Sequence, residues 1–310
     1  MPRVRSRAAL AGLVALTLSA CGTAGAGTGP AVSDGDPAAC AGRVVDVAVS
    51  VAQWGDLVRT LGGACANVTT IISSGAIDPH DFEPGTAALA ALSSADLVVL
   101  NGAGYDHWAQ DAVATLDTGP VVVSAAEVAG VPEHGADPHL WYSPGVVSQV
   151  STAVSAALTS LAGHKASDYL AEQAAAWTAD LQPYEEAVHA LAAVAPGHTF
   201  AATEPVFDRM ASAVGLTDVT PEGYRRASSN DSDPAAGDLT GFESALTDGR
   251  VDVLVYNRQT SGTLPEQLRR TAERAGVPVV EVSESPTDPG GSFVPWQVGQ
   301  LTELAKALAS

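Results

Sequence analysis

The chain has 310 residues, of which 46% are hydrophobic and only 5% aromatic, with 35 acidic against 15 basic side chains and a formal charge of −20. That length allows two lobes, each with a core of its own. The acidic excess argues against nucleic acid as a partner and suits an exported protein that handles cations.

Taken in chain order, the first feature is an export signal. Arg3, Arg5 and Arg7 precede an apolar run over 8–18, and Leu18-Ser19-Ala20-Cys21 follows. The run is too short for a helix to span a bilayer, which takes about 20 apolar residues, and no other long apolar stretch is expected. The Leu-Ser-Ala-Cys ending resembles a bacterial lipobox, in which Cys21 becomes the lipidated first residue. The alternative is an ordinary signal peptide with a chance cysteine. Loss of residues 1–20 removes three arginines and no acid, taking −20 to −23. The stretch 22–39, rich in Gly, Ala, Thr, Ser, Pro and Asp, reads as a flexible tether. Cys40 and Cys65 lie four and three residues before expected strands that begin at Val44 and Val68. If those strands are parallel neighbours, both sulfurs start at one sheet edge, and a disulfide fits an extracytoplasmic protein. Two buried free thiols are the other reading.

From Arg43 onward, short β-branched runs alternate with longer Ala/Leu-rich segments, the rhythm of a parallel α/β sheet. Strands are expected near 44–49, 68–72, 96–101 and 121–124, and helices near 52–61, 85–93, 105–116 and 145–161. A second set of strands falls near 199–202, 218–220, 252–256 and 277–282, with helices near 205–214, 239–247, 264–275 and 296–308. Between them 166–194 reads as one long helix, with Tyr169, Ala176, Leu181, Tyr184, Val188 and Leu191 at helical spacing. Pro183 should kink or divide it. The segment 227–238 reads as a polar loop. The expected organisation is therefore a signal peptide (1–20), a tether (21–39), a first βα lobe (40–165), a linking helix (166–195) and a second βα lobe (196–310).

Four side chains fall past the ends of these strands: His80 in Asp78-Pro79-His80, His139 in Asp137-Pro138-His139, Glu204 in Thr203-Glu204-Pro205, and Glu284 in Ser283-Glu284-Ser285. Ligands of open α/β sheets bind at strand C-termini. Two imidazoles and two carboxylates converging there would neutralise a divalent transition metal. Each proline fixes the backbone ahead of its histidine. Taken singly, a histidine after a strand is more often a surface residue, and a glutamate before a helix more often favours the helix dipole. The doubled Asp-Pro-His lifts the pair above that reading. His107, His134, His164, His189 and His198 lack such placement and read as surface residues, and Glu185 and Glu186 as solvated. No Gly-x-Ser-x-Gly elbow, Walker loop or His-Glu-x-x-His helix is present.

With these residues in hand, the chain resembles the metal-receptor cluster of solute-binding lipoproteins that serve manganese and zinc ABC transporters. The resemblance is carried by Asp78–Pro84, by 95–108 (ending Gly-Tyr-Asp-His-Trp), by Asp137–Trp141, by Thr203–Phe207, by Tyr256–Gly262 and by 277–285. It implies two (βα)4 lobes with parallel sheets, joined by a long rigid linking helix, with one metal in the inter-lobe cleft. Carried over, His80, His139 and Glu204 match ligand positions, and Glu284 stands where many members have aspartate, with Asp288 nearby. Zinc-specific members usually have histidine where Glu204 stands and often a His-rich loop, whereas 127–136 holds only His134, so manganese is favoured. Tyr142-Ser143 replaces the more usual Leu-Asp.

The resemblance further implies a monomeric, membrane-tethered receptor outside the cell, delivering Mn²⁺ or Zn²⁺ to an ABC permease and its ATPase, without turnover. One rival is a metal-dependent hydrolase that uses three of the ligands and keeps the fourth as a general base. Another is a siderophore or haem receptor, which would need a roomy aromatic or basic cleft.

Overall fold

The computed structural model describes residues 29–75, 77, 82–117, 119–230, 232–260, 262–286 and 291–309. The expected signal segment and Cys21 lie outside them, as do His80 and Asp288.

The first lobe runs β1 (Ala31–Ser33), β2 (Val45–Val51), α1 (Ala52–Gly62), β3 (Ala66–Ile72), α2 (Thr86–Ser94), β4 (Leu97–Leu100), α3 (His107–Ala114), β5 (Val121–Ser124) and α4 (Ala125–Ala129). Its sheet has the order β1-β3-β2-β4-β5, parallel except for β1, which lies antiparallel on β3. The central strands read as continuous apolar runs because helices cover both faces. All four residues of β4 are buried, as is every residue of β2 except Asp46. On α1, Trp54, Leu57, Val58 and Leu61 form the inward stripe at i, i+3, i+4, i+7. Each such side chain is worth ~1.5–3 kcal/mol on burial.

Three helices then carry the chain across: α5 (Pro144–Ala162), α6 (Ser167–Asp180) and α7 (Gln182–Val194). Although no second long apolar stretch was expected, α5 is a 19-residue helix that passes the length and hydropathy test for a membrane span. Its stripe Val146, Val147, Val150, Val154, Leu158 and Ala162 is buried in the protein core. The expected linking helix is divided where Pro183 predicted. Leu181 keeps helical dihedrals, its N–H reaches the Trp177 carbonyl at 2.9 Å, and Glu185 N–H reaches the Leu181 carbonyl at 3.0 Å. The joint is therefore a bend between packed helices. α6 packs on α1, and α7 packs on the second lobe.

That lobe runs β6 (Thr199–Ala202), α8 (Asp208–Val214), β7 (Thr217–Asp218), α9 (Glu222–Ser228), α10 (Ala236–Thr247), β8 (Val253–Asn257), α11 (Thr263–Ala275), β9 (Val279–Val282) and α12 (Phe293–Leu308). Its four parallel strands are ordered β7-β6-β8-β9. α11 shows how the sequence sorts its faces: Leu268 and Ala272 are buried, while Arg269–Glu273 and Glu266–Arg270 pair on the outside. One continuous core takes in both sheets and the linking helices, and a smaller one centred on Phe242 and Leu254 lies on the second sheet's outer face.

Three segments depart from expectation. The stretch read as tether already contains β1, with Ala31, Val32 and Ser33 opposite Thr70, Thr69 and Val68. A three-residue strand leaves no periodicity to detect. The short helices α4 and α9 also went unforeseen. α9 occupies part of the expected polar loop and buries only Tyr224. Cys40 and Cys65 are joined in a disulfide, Cα to Cα 5.0 Å, at the starting edge of the parallel neighbours β2 and β3.

Candidate metal centre

The strand C-termini of both sheets face one cleft of about 880 Å³, with Ile72, Tyr105, His139, Glu204, Gln259 and Glu284 among its lining.

His139 does not follow β5 directly, as the sequence reading had it. α4 intervenes, and the chain returns along the cleft rim before Asp137. Asn101, just past β4, then pins the tripeptide, its Nδ2 donating to the Pro138 carbonyl at 2.8 Å while Trp54 Nε1 donates to Asn101 Oδ1 at 3.1 Å. Asp137 Oδ1 accepts from the His139 backbone N–H at 3.0 Å and lies 2.7 Å from its Nδ1. Nε2 is thereby aimed into the cleft, 3.7 Å from Glu284 Oε2, an ion-pair distance rather than a hydrogen bond. Burial alone would lower the imidazole's pKa, but Asp137 and Glu284 raise it to about 10. The attraction of the protonated ring is thus fully present below about 6.5 and is lost as pH rises through about 10.

Glu204 leaves β6 in extended conformation and does not cap the turn Pro205–Phe207. Its Oε2 accepts instead from Asn257 Nδ2 at 2.7 Å and from the Thr260 hydroxyl. The same Asn257 amide donates to Glu284 Oε1 at 2.8 Å, so one NH2 group at the end of β8 spans both carboxylates. Tyr105 of the first lobe donates its hydroxyl to Glu284 Oε2 at 3.0 Å, and the Glu284 backbone N–H reaches Gln259 Oε1 at 2.5 Å. Burial and then the Glu284 charge push the Glu204 carboxyl above its ordinary range. Burial would do the same to Glu284, but His139, Asn257 and Tyr105 outweigh it and hold that group low.

Second contacts cross the cleft beside these. Arg209 of α8 places Nε 3.0 Å from Asp137 Oδ2 and also donates to the Asp137 carbonyl. Gln259 Nε2 donates to the Gly75 carbonyl at 3.0 Å. A Cβ at Gly75 would meet the Gln259 amide and the Ser285 hydroxyl, so any larger residue there must push these side chains aside. Nearby Asp208 is pushed up to about 6, by burial first and then by Asp218 and Asp137, against the opposing Arg225.

Three of the four expected ligands thus meet in one cluster, the two glutamates through Asn257 and His139 by its ion-pair contact with Glu284, and the fourth, His80, lies outside the described residues. Among the described residues no three His, Cys, Asp or Glu side chains stand in metal-holding geometry. The Asn257 amide bridges the two carboxylates, and the His139 ring pairs with Glu284. Asn257, Arg209, Gln259 and Thr260 were not singled out in the sequence. Only Tyr256–Gly262 carried a signal, as part of the family resemblance at the exit of β8. His107, His134, His164 and His189 are exposed as expected, His134 at the rim of the cleft, while His198 is half-exposed and lies 3.4 Å from Asp252. Glu185 and Glu186 are exposed.

Comparison with known proteins follows the same lines. The family described as "ZnuA: Zinc-uptake complex component A periplasmic" matches residues 47–307. Manganese-binding lipoprotein MntA of Halalkalibacterium halodurans is 28% identical over 180 residues, 57% of this chain and 56% of that protein. Zinc-binding lipoprotein AdcA of Streptococcus pneumoniae is 24% identical over 263 residues, 77% of this chain but 51% of that protein. The chain thus spans little more than half the length of these relatives. Among solved structures, the periplasmic zinc-binding protein TroA from Treponema pallidum superposes with a TM-score of 0.71 at 19% identity, covering 85% of this chain and 99% of that one. The solute-binding protein FpvC from Pseudomonas aeruginosa in complex with Mn²⁺ gives 0.69 at 21%, covering 86% and 99%. Both likenesses concern the fold.

Proposed function

The chain belongs to the family of periplasmic zinc-uptake complex A components, and from that premise we propose that it captures one divalent transition metal outside the cell and delivers it to an ABC permease and its ATPase. The observation that carries this is the cluster of His139, Glu204 and Glu284, drawn from both lobes, with Asn257 linking the two carboxylates and His139 paired with Glu284. His80, His139, Glu204 and Glu284 are the proposed ligands. Two imidazoles and two carboxylates balance a dication with hard and borderline donors. Metal arriving at His139 displaces the proton held there and separates the carboxylates from the Asn257 amide. Ligands from both lobes make the bound ion a bridge, and release follows when the permease parts them. The protein acts by binding rather than turnover, since four protein ligands leave no open position for an activated water.

Glutamate at the third position favours manganese within the family pattern, although Zn²⁺ binds more tightly than Mn²⁺ to nearly any such site. Cys21 is the proposed lipid anchor, and the receptor acts as a monomer at the outer face of the membrane. The cleft volume of about 880 Å³, with Arg225 and Arg226 in its lining, also suits a chelated metal. The carboxylates on its floor favour the bare cation.

The test is competitive metal loading of chelator-stripped residues 22–310, read by native mass spectrometry and thermal shift. One bound ion, lost in both His80→Ala and Glu204→Ala, is expected. Absence of any bound metal, with an absorbance shift on adding haem or a ferric chelate, would replace this reading with the chelate receptor.

A further inference from the structure

One buried acid takes no direct part in the metal cluster. Asp106 stands at the N-cap of α3, where an aspartate ordinarily accepts from the first turn of its helix. Here its side chain makes no such bond. The carboxylate turns back to the end of β4, wholly buried, and accepts from the Asn101 N–H at 2.7 Å, the Gly102 N–H at 2.8 Å and the Ser50 hydroxyl of β2. All three donors are neutral, and a carboxylate buried on neutral donors is a costly arrangement. What they hold together is a turn of unusual shape. Gly102, Ala103 and Gly104 have φ of 72°, 54° and 79°, and among the described residues Ala103 alone has positive φ without being glycine. A left-handed alanine resists its own conformation. Gly102 is fixed by space as well, since a Cβ there would stand 2.6 Å from the Ser124 hydroxyl and 2.7 Å from the Ala126 Cβ.

Both ends of the turn touch the site. At its start, Asn101 donates to the Pro138 carbonyl at 2.8 Å, directly before His139. At its end, the Tyr105 ring lies 4.9 Å from Trp141, and its hydroxyl accepts from Gln53 Nε2 at 3.0 Å, which directs the phenolic proton to Glu284 Oε2. We propose that Asp106 is a positioning residue for the metal site: its carboxylate locks the left-handed turn 101–106, which carries Asn101 to the His139 tripeptide and Tyr105 to Glu284, so that one side chain remote from the ion sets a donor in each lobe. This rests on the reading of the cluster as a metal site. Without the clamp, Ala103 can return to negative φ, and the turn cannot change shape without moving Asn101, Tyr105 or both. The loss then reaches the ligands as disorder in their supports, the route by which groups around a metal site tune it. α3 does not depend on the clamp, because its first turn is bonded through the Asp106 backbone carbonyl, which accepts from Ala109 N–H at 2.9 Å.

The test is Asp106→Asn, which keeps the side chain's size and one acceptor oxygen but turns an NH2 group toward a backbone N–H. Affinity of the chelator-stripped protein for Mn²⁺ and for Zn²⁺ is read by equilibrium titration. The His139 ring is read in the metal-free protein by the downfield resonance of its imidazole N–H on Asp137, assigned by its loss in His139→Ala. Affinity should fall about tenfold, and the resonance should broaden or vanish. Adding Ala103→Gly, which relieves the left-handed turn, should recover most of both. An unchanged affinity or an unchanged resonance in Asp106→Asn overturns the proposal. So does an equal gain from Ala103→Gly in the wild-type background, since the two residues would then act independently. Should Asp106→Asn fail to fold, Ser50→Ala withdraws one donor and leaves the turn's own residues in place. It should weaken binding about threefold and broaden the same resonance, and no change in either overturns the proposal. If the wild-type protein binds neither metal, the receptor reading falls, and the imidazole resonance alone decides whether Asp106 positions His139.

Discussion

The two lobes meet twice, and the two junctions are built from opposite materials. Behind the cleft the contact is apolar and aromatic. Phe293, at the start of α12, sits among Trp177, Tyr184 and Trp296 with ring centroids 5.4–6.3 Å apart, and its N–H is capped at 2.9 Å by Asp56 from the first lobe. At the cleft the contact is ionic and amide-rich: Tyr105 and His139 on Glu284, Arg209 on Asp137, Gln259 on Gly75. Close-packed apolar surface resists deformation, so the rear junction acts as a weld. Charged and amide groups at the front can exchange partners, so under the proposed function this side is the grip. Between them stands Tyr142, buried, whose hydroxyl reaches the Ser283 carbonyl at 2.8 Å and Gln300 Oε1 at 3.0 Å. It ties the His139 segment to the residue before Glu284.

The comparison breaks most easily at the weld. Phe293→Ala should lower the unfolding free energy by about 3–5 kcal/mol in urea titration. A loss below about 1 kcal/mol would mean that the rear junction is not where the lobes are joined. At the grip, Gly75→Ala should force the Gln259 amide away from Glu284 and weaken metal binding about tenfold, or ~1.4 kcal/mol, in equilibrium titration. Its melting temperature without metal should stay near wild type; unchanged affinity would show that the jaws do not close on Gly75. The smallest effect belongs to the strap. Tyr142→Phe removes a hydrogen bond worth about 0.5–1.5 kcal/mol and should speed metal release several-fold in stopped-flow chelation. Tyr184→Phe is the comparator, since the buried Tyr184 hydroxyl has no hydrogen-bond partner among the described residues. Equal effects of the two changes would reduce Tyr142 to a packing residue.

Much of the fold was legible because its elements are long and locally consistent. The strands 121–124 and 199–202 were read to the residue, and Pro183 announced the divided linking helix. Short elements escaped. β1 has three residues, and α9 buries a single side chain, so neither offers a period to count. At the site, Asp-Pro-His and Glu-Pro flagged His139 and Glu204 because proline fixes the backbone before or after a donor. Asn257 and Arg209 gave no such sign. An amide at a strand end and an arginine on a helix are ordinary residues until a partner from another element stands beside them.

By itself the sequence determined what depends on neighbours along the chain: the βα rhythm, the apolar faces, the proline-set turns, and the residue types suited to a dication. The tertiary structure alone decided what depends on groups far apart in sequence. It put one amide between two carboxylates 80 residues apart, set a histidine's ring between Asp137 and Glu284, and turned part of an expected tether into a strand. Hydrogen bonds and charges act over a few ångströms of space, and distance along the chain carries no information about them until the lobes have folded against each other.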